Sequence, residues 1–225
     1  MPSVPLPCPS GRPRARLVPM TPLQQLRAPR KPLRLLNLAV GIVVLGAGVG
    51  LFVRAGLGLS PWDVLHQGLS RLLPISFGTV IVLLGLLILL LWIPLRQWPG
   101  LGTLVNTFAV GPIADLTITL LPPIHGLAWQ AGAMALATVL AAVGTTVYIG
   151  AQFGGGPRDG LMTGLHFRTG LSVRAIRTIM ELTALAVGWL LGGVVGLGTV
   201  VFALSIGPLC QLFFRWTVVD VERRR

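Results

Sequence analysis

Four carboxylates lie in or beside strongly apolar sequence, and they carry most of the chemistry this chain has to offer: Asp63, Asp115, Asp159 and Glu181. Inside a bilayer a carboxylate costs several kcal/mol unless it is paired, hydrated or protonated. Each therefore demands a partner, and each is a candidate to hold a cation, relay a proton or meet a substrate. Asp63 follows Ser60-Pro61-Trp62, and Asp159 follows Gly156-Pro157-Arg158. Both occupy the third position of a predicted helix that opens on proline, where a side-chain carboxylate meets free backbone N–H groups. Capping and a cation or substrate role compete as explanations. Glu181 has Arg177 one turn before it, so an internal ion pair competes with a pathway role. Asp115 lies near the outer end of its apolar run, within expected reach of Arg54 or Arg71, and Asn106 in the same run completes the set read as a substrate or ion pathway.

Other chemistries lack machinery. His66, His125 and His166 are not at metal-ligand spacing and are read as surface or interfacial residues, while Cys8 and Cys210 are too far apart in the expected topology to pair. No HExxH, GxSxG or Cys/His cluster occurs. No catalytic residue, metal ligand or cofactor is assigned, and the chain is not expected to be an enzyme.

The elements that must position these residues come as a duplication. Shifted by 96 residues the chain matches itself without a gap, Gly48 to Leu116 on Gly144 to Leu212. The matches with weight are those that set backbone geometry, among them Gly58/Gly154, Pro61/Pro157, Asp63/Asp159, Ser76/Ser172, Gly111/Gly207 and Pro112/Pro208. A period this long describes two structural halves rather than a solenoid. The carboxylates break the symmetry: Asp115 corresponds to Gln211, and Glu181 to Gly85.

With 53% hydrophobic and 11% charged residues and a mean hydropathy of +0.82, the chain would expose far too much apolar surface as a soluble fold. Runs near the length needed to cross a bilayer occur at 35–53, 77–95, 101–121, 128–150, 175–195 and 198–216. The expected fold is all-α, a polytopic membrane protein of six transmembrane helices in two inverted repeats of three. Sixteen of the 18 Lys and Arg fall on one side if both termini are cytoplasmic; only Arg54 and Arg71 fall outside. Orientation thus accounts for the net charge of +12, with anionic lipid at the basic tails as a further partner. Nucleic acid is not required.

Each repeat also carries a short helix and matched interruptions. The helix from Pro61 to about Leu73 is too short to cross, at ~1.5 Å per residue. Its faces differ: Trp62, Leu65, Leu69 and Leu72 form one stripe, with Asp63, His66, Gln67, Ser70 and Arg71 opposite. It is expected to lie at the membrane surface or re-enter, as is its copy after Gly154-Gly155-Gly156-Pro157. Helix breaks are expected at Gly58, Pro61, Gly154, Gly156 and Pro157, and a kink or break at Gly111-Pro112 and Gly207-Pro208. Paired interruptions in two inverted halves point to a substrate or ion site; packing kinks are the plainer alternative. Glycine pairs such as Gly46/Gly50 are read as contacts within the bundle, with a homo-oligomer as the alternative.

The expected organisation is a disordered Pro/Arg-rich cytoplasmic tail over 1–33, repeat one over 34–122, repeat two over 123–217 and a basic cytoplasmic tail over 218–225. Residues 1–33 hold nine of the 18 prolines and no acidic residue. They are not read as a transit peptide, and the first span is read as an anchor rather than a cleaved signal peptide.

Gly56-Leu57-Gly58-Leu59-Ser60-Pro61-Trp62-Asp63-Val64-Leu65, Gly100-Leu101-Gly102-Thr103-Leu104-Val105-Asn106, Gly111-Pro112-Ile113-Ala114-Asp115 and Gly154-Gly155-Gly156-Pro157-Arg158-Asp159-Gly160 resemble the YczE-type bacterial membrane proteins, relatives of the YitT group. The likeness spans roughly 35–216, in the family's order and spacing, although the Pro/Arg tail departs from it. It implies a bacterial inner-membrane protein and brings no catalytic residues with it. Two functions remain as expectations: a small pseudo-symmetric transporter or channel for an unidentified solute or ion, or a membrane scaffold or assembly partner without transport.

Overall fold

The computed structural model describes residues 17, 18 and 20–221, and helices are the regular structure among them. A short α1 (Pro22–Arg27) precedes α2 (Lys31–Ala55), α3 (Pro61–Leu72), α4 (Phe77–Trp92), α5 (Leu101–Leu120), α6 (Leu127–Gly150), α7 (Pro157–Thr169), α8 (Val173–Leu190) and α9 (Leu197–Thr217). The starts of α2 to α5, advanced by 96, fall on those of α6 to α9.

The duplication reaches down to the backbone. All ten residues with positive φ among the described residues pair at the same offset: Arg30/Gly126, Gly56/Gln152, Gly58/Gly154, Pro74/Gly170 and Arg96/Gly192. Glycine relieves this conformation at no steric cost, yet only Gly58/Gly154 keeps glycine in both copies. The conformations repeat where the sequence no longer does.

Local chemistry explains the helix starts. Ser76 Oγ accepts from Thr79 N at 3.1 Å and Ser172 Oγ from Ala175 N at 3.2 Å, equivalent N-caps on α4 and α8. Glycine then sets the packing. On α2, Gly41 meets Gly144 and Tyr148 of α6 while Gly48 meets Ala137 and Ala141, so the two helices cross antiparallel with little side chain between them. α5 runs parallel to α2, with Val110 and Ile113 on Gly46 and Ala114 and Thr117 on Gly50. α4 runs antiparallel to α5, Gly78 against Gly111 and Gly85 against Thr107. The short helices are exchanged: α3 lays Gly68 on Gly188 and Leu191 of α8, and α7 lays Gly160 and Gly164 on Trp92 and Leu95 at the end of α4.

α2, α5, α6 and α9 are long and apolar enough to cross a membrane, and α3 with α4 would make a fifth span, bent by 112°. The runs expected at 77–95 and 175–195 are both helical but weaker as spans. α4 ends after 16 residues, and α8 carries Arg174, Arg177 and Glu181 in its first half. Many large apolar side chains lie exposed along the helices, Leu87, Leu90, Leu204 and Trp189 among them, a surface suited to lipid rather than water.

Several expectations are corrected. α5 and α9 continue through Pro112 and Pro208 without a break. The described part of the N-terminal tail is ordered: Thr21 forms a capping box with Gln24 at the start of α1, and Val18 N donates to Gln152 Oε1. Residues 1–16 lie outside the described residues, as do 222–225. The C-terminal strip turns back onto the bundle, Val219 N donating to Gly150 O and Val219 O accepting from Gln152 Nε2.

One seam is sealed and its copy is not. α4 and α5 meet through Gly78 and Gly111, whereas their equivalents on α8 and α9 are Arg174 and Gly207, and a Cβ on Gly207 would touch nothing within 4 Å.

Candidate functional site

The first turns of α3 and α7 bring the charged residues together. At α3 the chain opens as the sequence dictates: Ser60 caps, Pro61 fills the first position, and Asp63 accepts from Ser60 Oγ at 2.5 Å while its own N donates to that oxygen at 3.3 Å. The other carboxylate oxygen of Asp63 lies 3.1 Å from His66 Nδ1. At α7 the N-cap is Gly156, which has no side chain to offer. There Asp159 caps directly, its Oδ2 accepting from Gly156 N at 2.8 Å, and the Tyr148 ring from α6 lies against the same carboxylate.

Arg158 joins the two ends. Its guanidinium stacks over Trp62 at 4.5 Å from the ring centroid, and one terminal nitrogen lies 3.5 Å from His66 Nε2. Since 62 and 158 are equivalent positions, a residue of one repeat is here touching its own copy. The ring of His66 also packs edge-on against Phe77 at 5.9 Å.

Two glycine loops hold these turns in place. Leu57 O accepts from Gly198 N at 2.9 Å, and Phe153 O from Gly102 N at 2.8 Å, equivalent bonds that tie each loop to the start of the long helix in the other repeat. Thr103 Oγ1 adds a bond to Gly155 O at 2.7 Å. At Gly58 a side chain would collide with the backbone of Gly196, so close approach as well as positive φ requires glycine; at Gly154 positive φ is the main requirement, with Thr103 Oγ1 close by. Arg34, fully buried, locks the second loop by donating to Ala151 O and Gln152 O, both at 2.9 Å, with Phe153 under its guanidinium at 4.1 Å.

Of the residues singled out in the sequence, Asp63 and Asp159 stand at the centre of this cluster, and Gly58, Pro61, Gly154, Gly156 and Pro157 build its loops. Asn106 is close by, its Oδ1 within 3.6 Å of where a Cβ on Gly156 would sit. Arg177 and Glu181 form an ion pair at 2.9 Å on α8, with side chains 54% and 35% exposed, and they stand near enough to contribute to the field at Asp159 and Arg158. Asp115 is elsewhere. Its expected partners go to other groups, Arg54 to Ile118 O and Arg71 to Gly192 O; the carboxylate instead accepts from Gly78 N at 2.7 Å and Ser76 Oγ at 2.5 Å. It borders an open pocket of about 380 Å³ with Gly78, Thr79, Val82, Leu83 and Pro112. Gly111, Pro112, Gly207 and Pro208 do not reach the cluster. No group of three metal-ligating side chains occurs among the described residues.

Sequence reasoning missed three members. His66 was expected at a surface and is 2% exposed; its spacing three residues after Asp63 was the available signal. Trp62 was assigned to the apolar stripe, and Arg158 to the topological count of cations. The buried side of α3 carries polar residues at its first turns, Asp63 and His66, together with Val64 and Gly68, while Arg71 and Leu72 at its end are exposed. A helix on the water surface would turn Asp63 and His66 outward.

The chain was compared with known proteins. Residues 32–215 match a family described as a family of unknown function, DUF6198. An uncharacterised protein of Haemophilus influenzae is 39% identical over 176 residues, covering 78% of this chain and 81% of its own. The uncharacterised membrane protein YczE of Bacillus subtilis is 34% identical over 173 residues, 76% and 80% of the two chains. YyaS of the same organism, also uncharacterised, is 27% identical over 178 residues. No solved structure matches. With a family match over residues 32–215 and 34% identity to YczE over 173 residues, the chain belongs to the YczE-type family of uncharacterised bacterial membrane proteins.

Proposed function

We propose that the protein is a small transporter or channel of the bacterial inner membrane, with its pathway passing between two inverted halves at the meeting point of α3 and α7. One observation carries the reading: charged and polar side chains of both repeats converge at the first turns of two helices too short to cross. A scaffold has no need of such a cluster, and holding it among apolar helices costs stability. The antiparallel crossing of the equivalent helices α2 and α6 supports inversion. In this reading all six long helices cross, α4 and α8 included, with both termini in the cytoplasm, and the polar faces of α3 and α7 line the route. Asp63, Asp159, Asn106, Arg177 and Glu181 are its polar residues, and Asp115 has a structural task. The alternative, a scaffold or assembly partner, keeps the same fold with a dry centre.

Single cysteines in a chain with Cys8 and Cys210 replaced by serine test both parts. Cysteines at Arg71 and His125 are expected to react with an impermeant thiol reagent from outside, and those at Arg96 and Arg168 only after the membrane is opened. A cysteine at Asn106 is expected to react with a small hydrophilic methanethiosulfonate in the native membrane. Labelling of the Asn106 position only after denaturation would overturn the aqueous pathway; labelling of Arg96 and His125 from one side would overturn the six-span topology.

A further inference from the structure

We propose that Arg158 is the binding group for an oxyanion, a carboxylate or phosphate, and that the solute handled by the central site carries one; the second half of this statement rests on the transport reading above. Both carboxylates around Arg158 are already engaged. Asp63 accepts from Ser60 Oγ and His66, and Asp159 from Gly156 N. Neither of the two ion pairs among the described residues includes Arg158.

What does hold Arg158 is a relay that begins in the other repeat. Asp63 takes a proton donor from His66 Nδ1, so Nε2 is left as a lone pair, and that lone pair accepts from the guanidinium at 3.5 Å. Trp62 covers one face of the guanidinium. Ser60, Asp63, His66 and Trp62 thus fix the plane and position of a cation while using only one of its five donors. The remaining N–H groups have no acceptor among the described residues, and the residue as a whole is only partly buried. A fixed fork of donors in a low-dielectric interior is matched by a group that accepts two parallel hydrogen bonds and returns a negative charge. Asp63 and Asp159 lie close enough to act on the Arg158 charge, but neither makes an ion pair with it, so its remaining N–H groups stay open to the acceptors of a ligand. The Tyr148 hydroxyl and the Asn106 amide, both beside Gly156, are further hydrogen-bonding groups at the same place.

The test is binding, read without transport. The full chain in a neutral detergent is titrated with sodium phosphate, sulfate and acetate against sodium chloride at matched ionic strength, following the melting midpoint by tryptophan fluorescence. A saturable rise at millimolar concentration is expected for at least one oxyanion and not for chloride. Arg158→Gln is expected to abolish it. Arg158→Lys should weaken the apparent affinity by about tenfold or more, because an ammonium cannot supply the parallel pair. His66→Phe, which keeps the packing on Phe77 and removes the acceptor, should weaken it severalfold and serves if the Arg158 variants do not fold. Arg96→Gln, in the exposed connection between α4 and α5, should leave the response intact. Nanodiscs separate the sources: a phosphate response in phosphatidylcholine identifies a soluble anion, and a stabilisation that requires phosphatidylglycerol and is lost in Arg158→Gln identifies a lipid headgroup. No saturable rise with any of these anions or with phosphatidylglycerol would overturn the inference, as would an undiminished rise in Arg158→Gln. Anion binding with an unreactive Asn106 position would keep the site and remove the pathway. A reactive position without anion binding would do the reverse.

Discussion

Asp115 is a carboxylate whose bonds join two helices. By accepting from Gly78 N and Ser76 Oγ it fastens the start of α4 to the C-terminal half of α5. Removing the acceptor strands the buried Gly78 N–H, at about 1–3 kcal/mol. Asp115→Ala is therefore expected to lower the detergent melting midpoint by several degrees, whereas Gln211→Ala at the equivalent exposed position should change stability by less than about 0.5 kcal/mol. At this scale the sequence was most legible where the interaction is local. Ser60 and Asp63 act three residues apart in one helical turn, and Arg177 with Glu181 four apart. The partner of Asp115 could not be read, because Ser76 and Gly78 meet it only through the packing of α4 on α5. The burial of His66 was hidden for a related reason: its surroundings come from Phe77 and Arg158, 11 and 92 residues away.

Helices reveal what the matched glycines do. Gly111 lies against the backbone of Gly78, so a methyl there has no room, and the two helices must separate to admit it. Gly111→Ala is expected to destabilise by ~1–3 kcal/mol or more. Gly207 occupies the same place in its repeat with open space around it. Gly207→Ala should stabilise instead, by up to about 1 kcal/mol through helix propensity alone. Opposite signs from one substitution at equivalent positions would be read directly from the two melting midpoints, and equal losses would contradict the open seam. The repeat and the starts of α3 and α7 were legible from proline, serine and glycine spacing. The prolines at 112 and 208 misled because a helix can absorb a missing N–H when neighbours and water serve the freed carbonyl, as they do in membrane helices. Nor does helix length in sequence reveal that α3 buries Asp63 and His66, since an amphipathic pattern names two faces without saying which residues meet the protein.

Across the whole molecule the halves are interlocked rather than merely adjacent. Each short helix packs on the other repeat, and each glycine loop is bonded to the other repeat's long helix. Composition and the 96-residue offset were sufficient to expect a duplicated helical membrane protein, but exchange between halves lies beyond any reading of one repeat at a time. The contact between Trp62 and Arg158 has a historical consequence. A residue that touches its own counterpart stands on the axis relating the halves. In an ancestor made of two separate identical copies, that position would have faced itself, arginine against arginine or tryptophan against tryptophan. The first arrangement sets two like charges together, and the second provides no cation at all. Only two copies that differ at this position can rest a cation on an indole there. Residues 1–122 and 123–225 expressed together as separate chains are accordingly expected to assemble and copurify, while neither half alone should give a folded dimer. A stable homodimer of the second half would contradict this, since it would have to place two Arg158 side chains face to face.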